Sequence, residues 1–366
     1  MRPPRRGIPA LARPRARARP RGAAACALAA LLAATLAGCA KKGPPSGGPP
    51  DLEPPRVVSS APDSGASRVA PDAHLSVTFS EGMEPRSTGE SVSLAPWVEF
   101  RQRRWSGRTL TLLPARPLDR GRTYTLFVGP QARDRHGNAL GTGATVVFST
   151  ADSFPPGAIE GKLEARGFGG PGTFLWCYDV GRGHAPDSTA RDFDALGLAD
   201  VNGAFRVVGL PVPGRYRLWA FADLDGNRSY EPSRDILYAV PTTFELTPAG
   251  PRALVPDLVV VNPRAPGRVK GSVIDTLGED KGVLRVMAVA DSDTTLRKLV
   301  DAGEENAFEI ELEPGRWRLR AFRDLDKNRG WKAGEEPASE LLRVRVEPAD
   351  EVKDVVLVLR RPSGVP

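Results

Sequence analysis

Pro213-Gly-Arg-Tyr-Arg-Leu-Trp-Ala-Phe-Ala-Asp-Leu-Asp-Gly-Asn-Arg228 returns further along the chain as Pro314-Gly-Arg-Trp-Arg-Leu-Arg-Ala-Phe-Arg-Asp-Leu-Asp-Lys-Asn-Arg329. Agreement over so long a stretch marks a duplicated unit. Within it Tyr216, Leu218 and Ala220, and equally Trp317, Leu319 and Ala321, recur at period two. That places them on one face of a strand, with Arg215, Arg217 and Trp219 on the other. Pro-Gly supplies the turn before each strand. The duplicated stretch therefore predicts β-structure twice over.

The match extends upstream. Ile159-Glu-Gly161-Lys-Leu163 corresponds to Val269-Lys-Gly271-Ser-Val273, and Asp200-Val-Asn-Gly-Ala-Phe205 to Glu304-Glu-Asn-Ala-Phe308. Phe244-Glu-Leu246, Leu258–Val261 and Val355–Leu359 supply later strands. Phe154-Pro-Pro-Gly157 and Asn262-Pro-Arg-Ala-Pro-Gly267 read as linkers. The run Asn-Gly, aromatic, Pro-Gly, Tyr-x-Leu, Ala-Phe-x-Asp-x-Asp-x-Asn resembles the carboxypeptidase-regulatory-like, transthyretin-like β-sandwiches. That resemblance implies two such modules, 156–262 and 266–361, and a carbohydrate-binding-like fold that makes a glycan contact an expectation without naming a sugar site.

Ahead of the repeats, His74–Phe79, Arg108–Leu113, Thr123–Val128 and Val146–Thr150 alternate as half-buried strands do, with turn signals between them. About seven short strands with turns at short intervals suggest an immunoglobulin-like sandwich. Pro54–Gly65, Val77-Thr-Phe-Ser-Glu-Gly-Met83, Leu110-Thr-Leu-Leu-Pro114, Gly121-Arg-Thr-Tyr124, Asp134-Arg-His-Gly-Asn138 and Phe148-Ser-Thr150 follow in order. Together they resemble the SbsA-type bacterial Ig-like domain (Big_5) over 55–151. The resemblance implies a spacer or stalk module without the cysteine pair of antibody domains.

Eight arginines lie before Cys39 and no acid does, so the formal charge of +7 falls to about −1 from Cys39 onward. The basic character belongs to a leader, and a nucleic-acid partner is not expected. Ala23–Thr35 is apolar, too short to span a bilayer and suited to a signal peptide. Leu36-Ala37-Gly38-Cys39 resembles the lipobox of bacterial lipoproteins. The resemblance implies a signal peptide over 1–38, acyl chains on Cys39, and anchorage to a membrane through several chains, each buried methylene contributing about 0.8 kcal/mol. Ala40 lacks the retention character of an Asp, which favours the outer membrane in a cell that has one. Residues 39–54, rich in Pro and Gly, read as a tether.

The whole is expected to be all-β, three tandem β-sandwich domains (Ig-like, then two transthyretin-like) after a lipoprotein signal peptide. Among candidate sites, Asp223-x-Asp225-x-Asn227 and Asp324-x-Asp326-x-Asn328, with Glu231, Asp235, Glu335 and Glu336 downstream, offer oxygen ligands at alternating positions, as Ca2+ requires. An EF-hand register fails: its sixth position holds Arg228 or Arg329 where Gly belongs, and its twelfth holds Arg234 in one repeat and Glu335 in the other. Solvated turns held by Asp and Asn side chains are the alternative. Glu81, Asp134 and Asn138 are further polar candidates, of which Asp134 and Asn138 flank a Gly turn and read as turn chemistry. Gly167-Phe-Gly169-Gly-Pro-Gly172 fits a GxGxxG pattern but precedes a strand instead of opening a helix. Trp219, Tyr230 and Trp331 read either as strand packing or as a sugar-stacking face. Cys177, in Thr173-Phe-Leu-Trp-Cys-Tyr178, reads as a buried thiol. His74, His136 and His184 belong to no catalytic motif. No enzyme activity and no cofactor other than Ca2+ is expected. The function expected is a lipid-anchored envelope scaffold that spaces or displays a binding surface for a glycan or protein. A carbohydrate-binding lipoprotein and an accessory of a periplasmic hydrolase are the alternatives.

Overall fold

A computed structural model describes residues 50–183, 193–227, 229–278 and 281–361. The leader, Cys39, most of the tether, His184 and Arg228 lie outside the described residues.

The first module pairs two sheets. One has the order β1-β2-β5-β4, from Val57–Ala61, Leu75–Phe79, Thr109–Pro114 and Phe100–Ser106; the other is β3-β6-β7, from Val92–Ala95, Thr123–Val128 and Ala144–Ser149. Leu75, Val77 and Phe79 alternate inward with Ser76 and Thr78, and with Leu110, Leu112, Tyr124 and Phe148 they fill one core. A short helix α1, Pro85–Ser91, interrupts the strands. The sequence pattern had not signalled it, because seven residues are too few to show a helical period. Glu84 starts it by accepting the Arg86 and Ser87 N–H groups, and Pro85 occupies its first turn.

The second module has a four-stranded sheet β10-β9-β12-β13, from Ala195–Leu198, Phe174–Asp179, Gly214–Ala222 and Ile236–Leu246. It faces a three-stranded sheet β11-β8-β14, from Ala204–Leu210, Gly157–Arg166 and Arg252–Val261. The third module repeats the plan. Its sheets are β17-β16-β19-β20, from Arg297–Asp301, Val283–Ala290, Gly315–Asp324 and Leu342–Val346, and β18-β15-β21, from Ala307–Leu312, Gly267–Asp275 and Glu351–Leu359. In both, the first and last strands pair in parallel within an otherwise antiparallel arrangement. Each module encloses its own core, with Leu218 or Leu319 at its centre and fully buried. Cys177 sits in the second core with no exposed surface, and burial pushes its thiol well above the usual range. The structure is all-β, as the alternation predicted.

The first two modules also share a fourth apolar cluster. Ala95 and Phe127 of the first pack on Phe174, Trp176, Tyr178, Phe193, Leu196 and Phe221 of the second. The Phe127 and Phe174 rings meet edge-on at 5.0 Å, and Trp176 lies 4.3 Å from Phe221 and 5.6 Å from Phe193. Polar contacts close the joint. Thr123 Oγ1 donates to Gly209 O at 2.7 Å, Gln131 Nε2 to Gly226 O at 3.3 Å, and Arg122 Nη2 to Asp194 Oδ1 at 3.2 Å. Gly209, with φ of 74°, is an extra residue bulged out of β11, and a side chain there would collide with Thr123.

Candidate functional site

Two acidic loops follow β12 and β19. In the first, Asp223 Oδ1 accepts the Gly226 and Asn227 N–H groups at 2.9 and 3.2 Å. Asp225 accepts Asn227 N at 3.1 Å and the Arg234 guanidinium at 3.3 Å. Burial pushes the Asp225 carboxyl up, but the Asn227 N–H and Arg234 outweigh it and hold it below its ordinary value. Asn227 bridges onward, its amide reaching Asp225 and Glu231. Asp235, 3% exposed, closes the loop by accepting Leu224 N at 3.0 Å and Glu231 N at 2.8 Å.

The second loop repeats this pattern. Asp324 accepts Asn328 N and Arg329 N at 3.1 and 2.9 Å. Asp326 accepts Asn328 N at 3.2 Å and the Lys332 ammonium at 2.6 Å, and that ammonium lowers its carboxyl's pKa. Glu336, also 3% exposed, accepts Leu325 N and Lys332 N, both at 2.9 Å. Asp324 is wholly buried, and Arg285 Nε lies 2.9 Å from it.

The six residues singled out in sequence, Asp223, Asp225, Asn227, Asp324, Asp326 and Asn328, are thus brought together, three in each loop. Of the downstream acids the structure selects Asp235 and Glu336. In each loop three carboxylates, Asp223, Asp225 and Asp235 or Asp324, Asp326 and Glu336, place one oxygen apiece within 4.8 Å of one another. The closing acid stands at the thirteenth position of the loop, one beyond the EF-hand count. The signal in the sequence is that this is the downstream offset acidic in both repeats. Each loop also carries its own cations: Arg234 on Asp225, Lys332 on Asp326 and Arg285 on Asp324. A divalent ion entering either loop competes with Arg234 or Lys332 for its carboxylate.

The first loop has a second role. Arg264, in the linker after the second module, donates to the carbonyls of Pro232 and Asp235 at 3.2 Å each, and to that of Arg234. The loop's closing turn therefore holds the linker to the third module.

Other candidates resolve into structure. Asp134 is 1% exposed and accepts His136 N, Asn138 N and the Asn138 amide, all at 2.8 Å, which makes it the anchor of a tight turn. Gly167–Gly172 lies between strands β8 and β9, where no helix follows. Trp219 and Tyr230 pack against the inter-module cluster, whereas Trp331 stands apart from it, with Arg320 3.7 Å over its ring.

Residues 51–150 match the family described as Bacterial Ig-like domain, Big_5. No curated protein matches the chain. Among solved structures it is similar to the N-terminal part of the bacterial S-layer protein SbsC, at 14% identity over 52% of this chain and 45% of that one, with a TM-score of 0.22. It is similar to the Bacillus anthracis TIE protein at 12% identity over 87% and 59%, TM-score 0.24. The Streptococcal ancillary pilin is similar at 13% identity over 70% and 80%, TM-score 0.25. The chain thus spans about half the length of the first two.

Proposed function

We propose that this protein is a non-catalytic scaffold of the bacterial cell envelope, tethered by lipid on Cys39, in which an Ig-like module, 55–151, and two repeated sandwiches, 156–262 and 266–361, space and present a binding surface. The observation that carries this reading is the aromatic joint between an Ig-like module and the first repeat. Tandem domains ordinarily meet through small, polar contacts that let them move. A joint filled by Phe127, Phe174, Trp176 and Phe221 makes two modules one stiff segment, which is what a spacer needs. The lipobox-like Leu36–Cys39 supports lipid anchoring, and Ala40 supports the outer membrane. Labelling cells with palmitate and fractionating the envelope tests it: wild-type protein takes up label and stays with lipid, and Cys39→Ser loses both. Persistence of the Ser variant in the lipid fraction defeats the reading.

A second reading, that the acidic loops take Ca2+, is favoured by the clustering of three carboxylates in each. Calorimetric titration of Ca2+ into the full chain tests it. Heat that disappears in Asp225→Ala and Asp326→Ala supports the reading, and no heat in the wild type removes it, leaving the loops as turns balanced by Arg234 and Lys332.

A further inference from the structure

The outer face of the sheet β17-β16-β19-β20 is an arginine array. Arg316, Arg318 and Arg320 alternate with the core residues Trp317, Leu319 and Ala321 on β19, and Arg343 and Arg345 lie on β20. Register sets Arg316 directly opposite Arg345 and Arg318 opposite Arg343, while Arg297 and Arg318 flank Val289. Like charges directly opposite one another oppose folding. Compensation is sparse. Asp291 lies 2.8 Å from Arg318 Nε, an ion pair without hydrogen-bond alignment, and Glu347 pairs with Arg345. Among the described residues Arg297, Arg316, Arg320 and Arg343 meet no carboxylate. Apolar side chains flank Arg320 at one end of the array: Met287, directly opposite it, and Leu299, paired with Met287 across β16 and β17, are both half-buried, and the Trp331 ring lies against the Arg320 guanidinium on the other side.

We propose that this face binds a single strand of an acidic polysaccharide, with its carboxylates on the arginines and its sugar-ring faces on Met287, Leu299 and Trp331. The proposal rests on the scaffold reading and names the partner of one of its surfaces. Guanidinium forks pair with carboxylates in two-point contacts, which favours arginine over lysine at such a site. The densest part of the array is two strands wide, about 5 Å between strands and about 7 Å between successive outward residues, and that width suits one polymer chain. Asp291, Asp301, Glu340 and Glu347 border it, each paired with an arginine, and they confine the unpaired positive charge to a narrow track, which suits one polymer chain better than a broad anionic plane such as a bilayer or a nucleic-acid duplex. The apolar side chains beside Arg320 favour a polymer with ring faces over an acidic peptide.

The test uses the full chain carrying Cys39→Ser, so that no acyl group contributes. Its migration is measured in gels containing polygalacturonate, neutral dextran or polyglutamate, with phosphatidylglycerol vesicles and duplex DNA as further probes. Polygalacturonate is expected to retard the protein, with affinity lost about tenfold or more in Arg316→Gln/Arg318→Gln/Arg343→Gln. The matched change in the second module, Arg215→Gln/Arg217→Gln, leaves retardation intact. The triple variant is also expected to melt no lower than its parent, since it relieves repulsion. No retardation by polygalacturonate, equal retardation of the triple variant, or binding as strong to polyglutamate, vesicles or DNA overturns the proposal. Should the triple variant fail to fold, Arg343→Gln alone on the edge strand reads the same effect, and an unchanged affinity overturns it. Palmitate labelling in cells is indifferent to these substitutions, so the scaffold reading stands or falls separately.

Discussion

Trp219 in the second module and Arg320 in the third hold the same place on the same strand, and around them two copies of one fold have been turned to different ends. The second module's outer face carries Phe174, Trp176, Tyr178, Leu196 and Phe221, and the Ig-like module covers it. In the third, register puts Arg285, Met287, Val289 and Leu299 at the places of Phe174, Trp176, Tyr178 and Leu196. The difference reaches the backbone. The second module has the Gly209 bulge where Thr123 docks, and its counterpart strand in the third pairs without a bulge. Gly226 leaves room for Gln131, whereas the third loop has Lys327 at that position. The inward faces, by contrast, are nearly interchangeable. A duplicated sandwich thus keeps its core and respecifies its outer sheet: one copy serves as an internal joint, and the other, among the described residues, leaves its arginine array uncovered by another module.

This contrast can be broken most forcefully at its centre. Trp176→Ala should destabilise the second module by about 4 kcal/mol, by transfer and cavity terms together. Chemical denaturation should then show the first two modules unfolding separately, where the wild type shows one transition. The third module offers the polar equivalent. Arg285→Ala leaves the wholly buried Asp324 without its cation and should cost about 3 kcal/mol, read as an earlier melting of that module. A smaller effect tests the bulge: Thr123→Val removes the hydrogen bond to Gly209 and should cost about 1 kcal/mol. A similar or smaller cost is expected from Cys177→Ala, because Ala288 already fills that position in the third core. The unsubstituted thiol should resist alkylation until the protein unfolds, since burial raises its pKa. Smallest of all, Arg345→Glu recreates in the third module the Arg215–Glu245 pair of the second. It should stabilise by about 0.5 kcal/mol at low salt, vanishing as salt is raised.

Much of the contrast is legible in the sequence. Phe174-Leu-Trp-Cys-Tyr178 is apolar throughout, the mark of a strand covered on both faces, whereas Val283–Ala290 interrupts its apolar run with Arg285. The run predicts a strand, but nothing within it identifies what covers its second face. The acidic loops were found by spacing, but the closing acids Asp235 and Glu336 were not separated from Glu231 and Glu335, because a loop has no period that fixes which side chain turns inward.

Alternation at period two and the duplicated Pro-Gly-Arg-aromatic-Arg-Leu run were sufficient to specify strands, inward residues and two copies of one module, because these follow from local backbone geometry and from repetition along the chain. What closes the outward face of the second module depended on the tertiary structure. Coverage is a contact between residues as distant in sequence as Phe127 and Phe174, and no local pattern records the partner that excludes water from a surface.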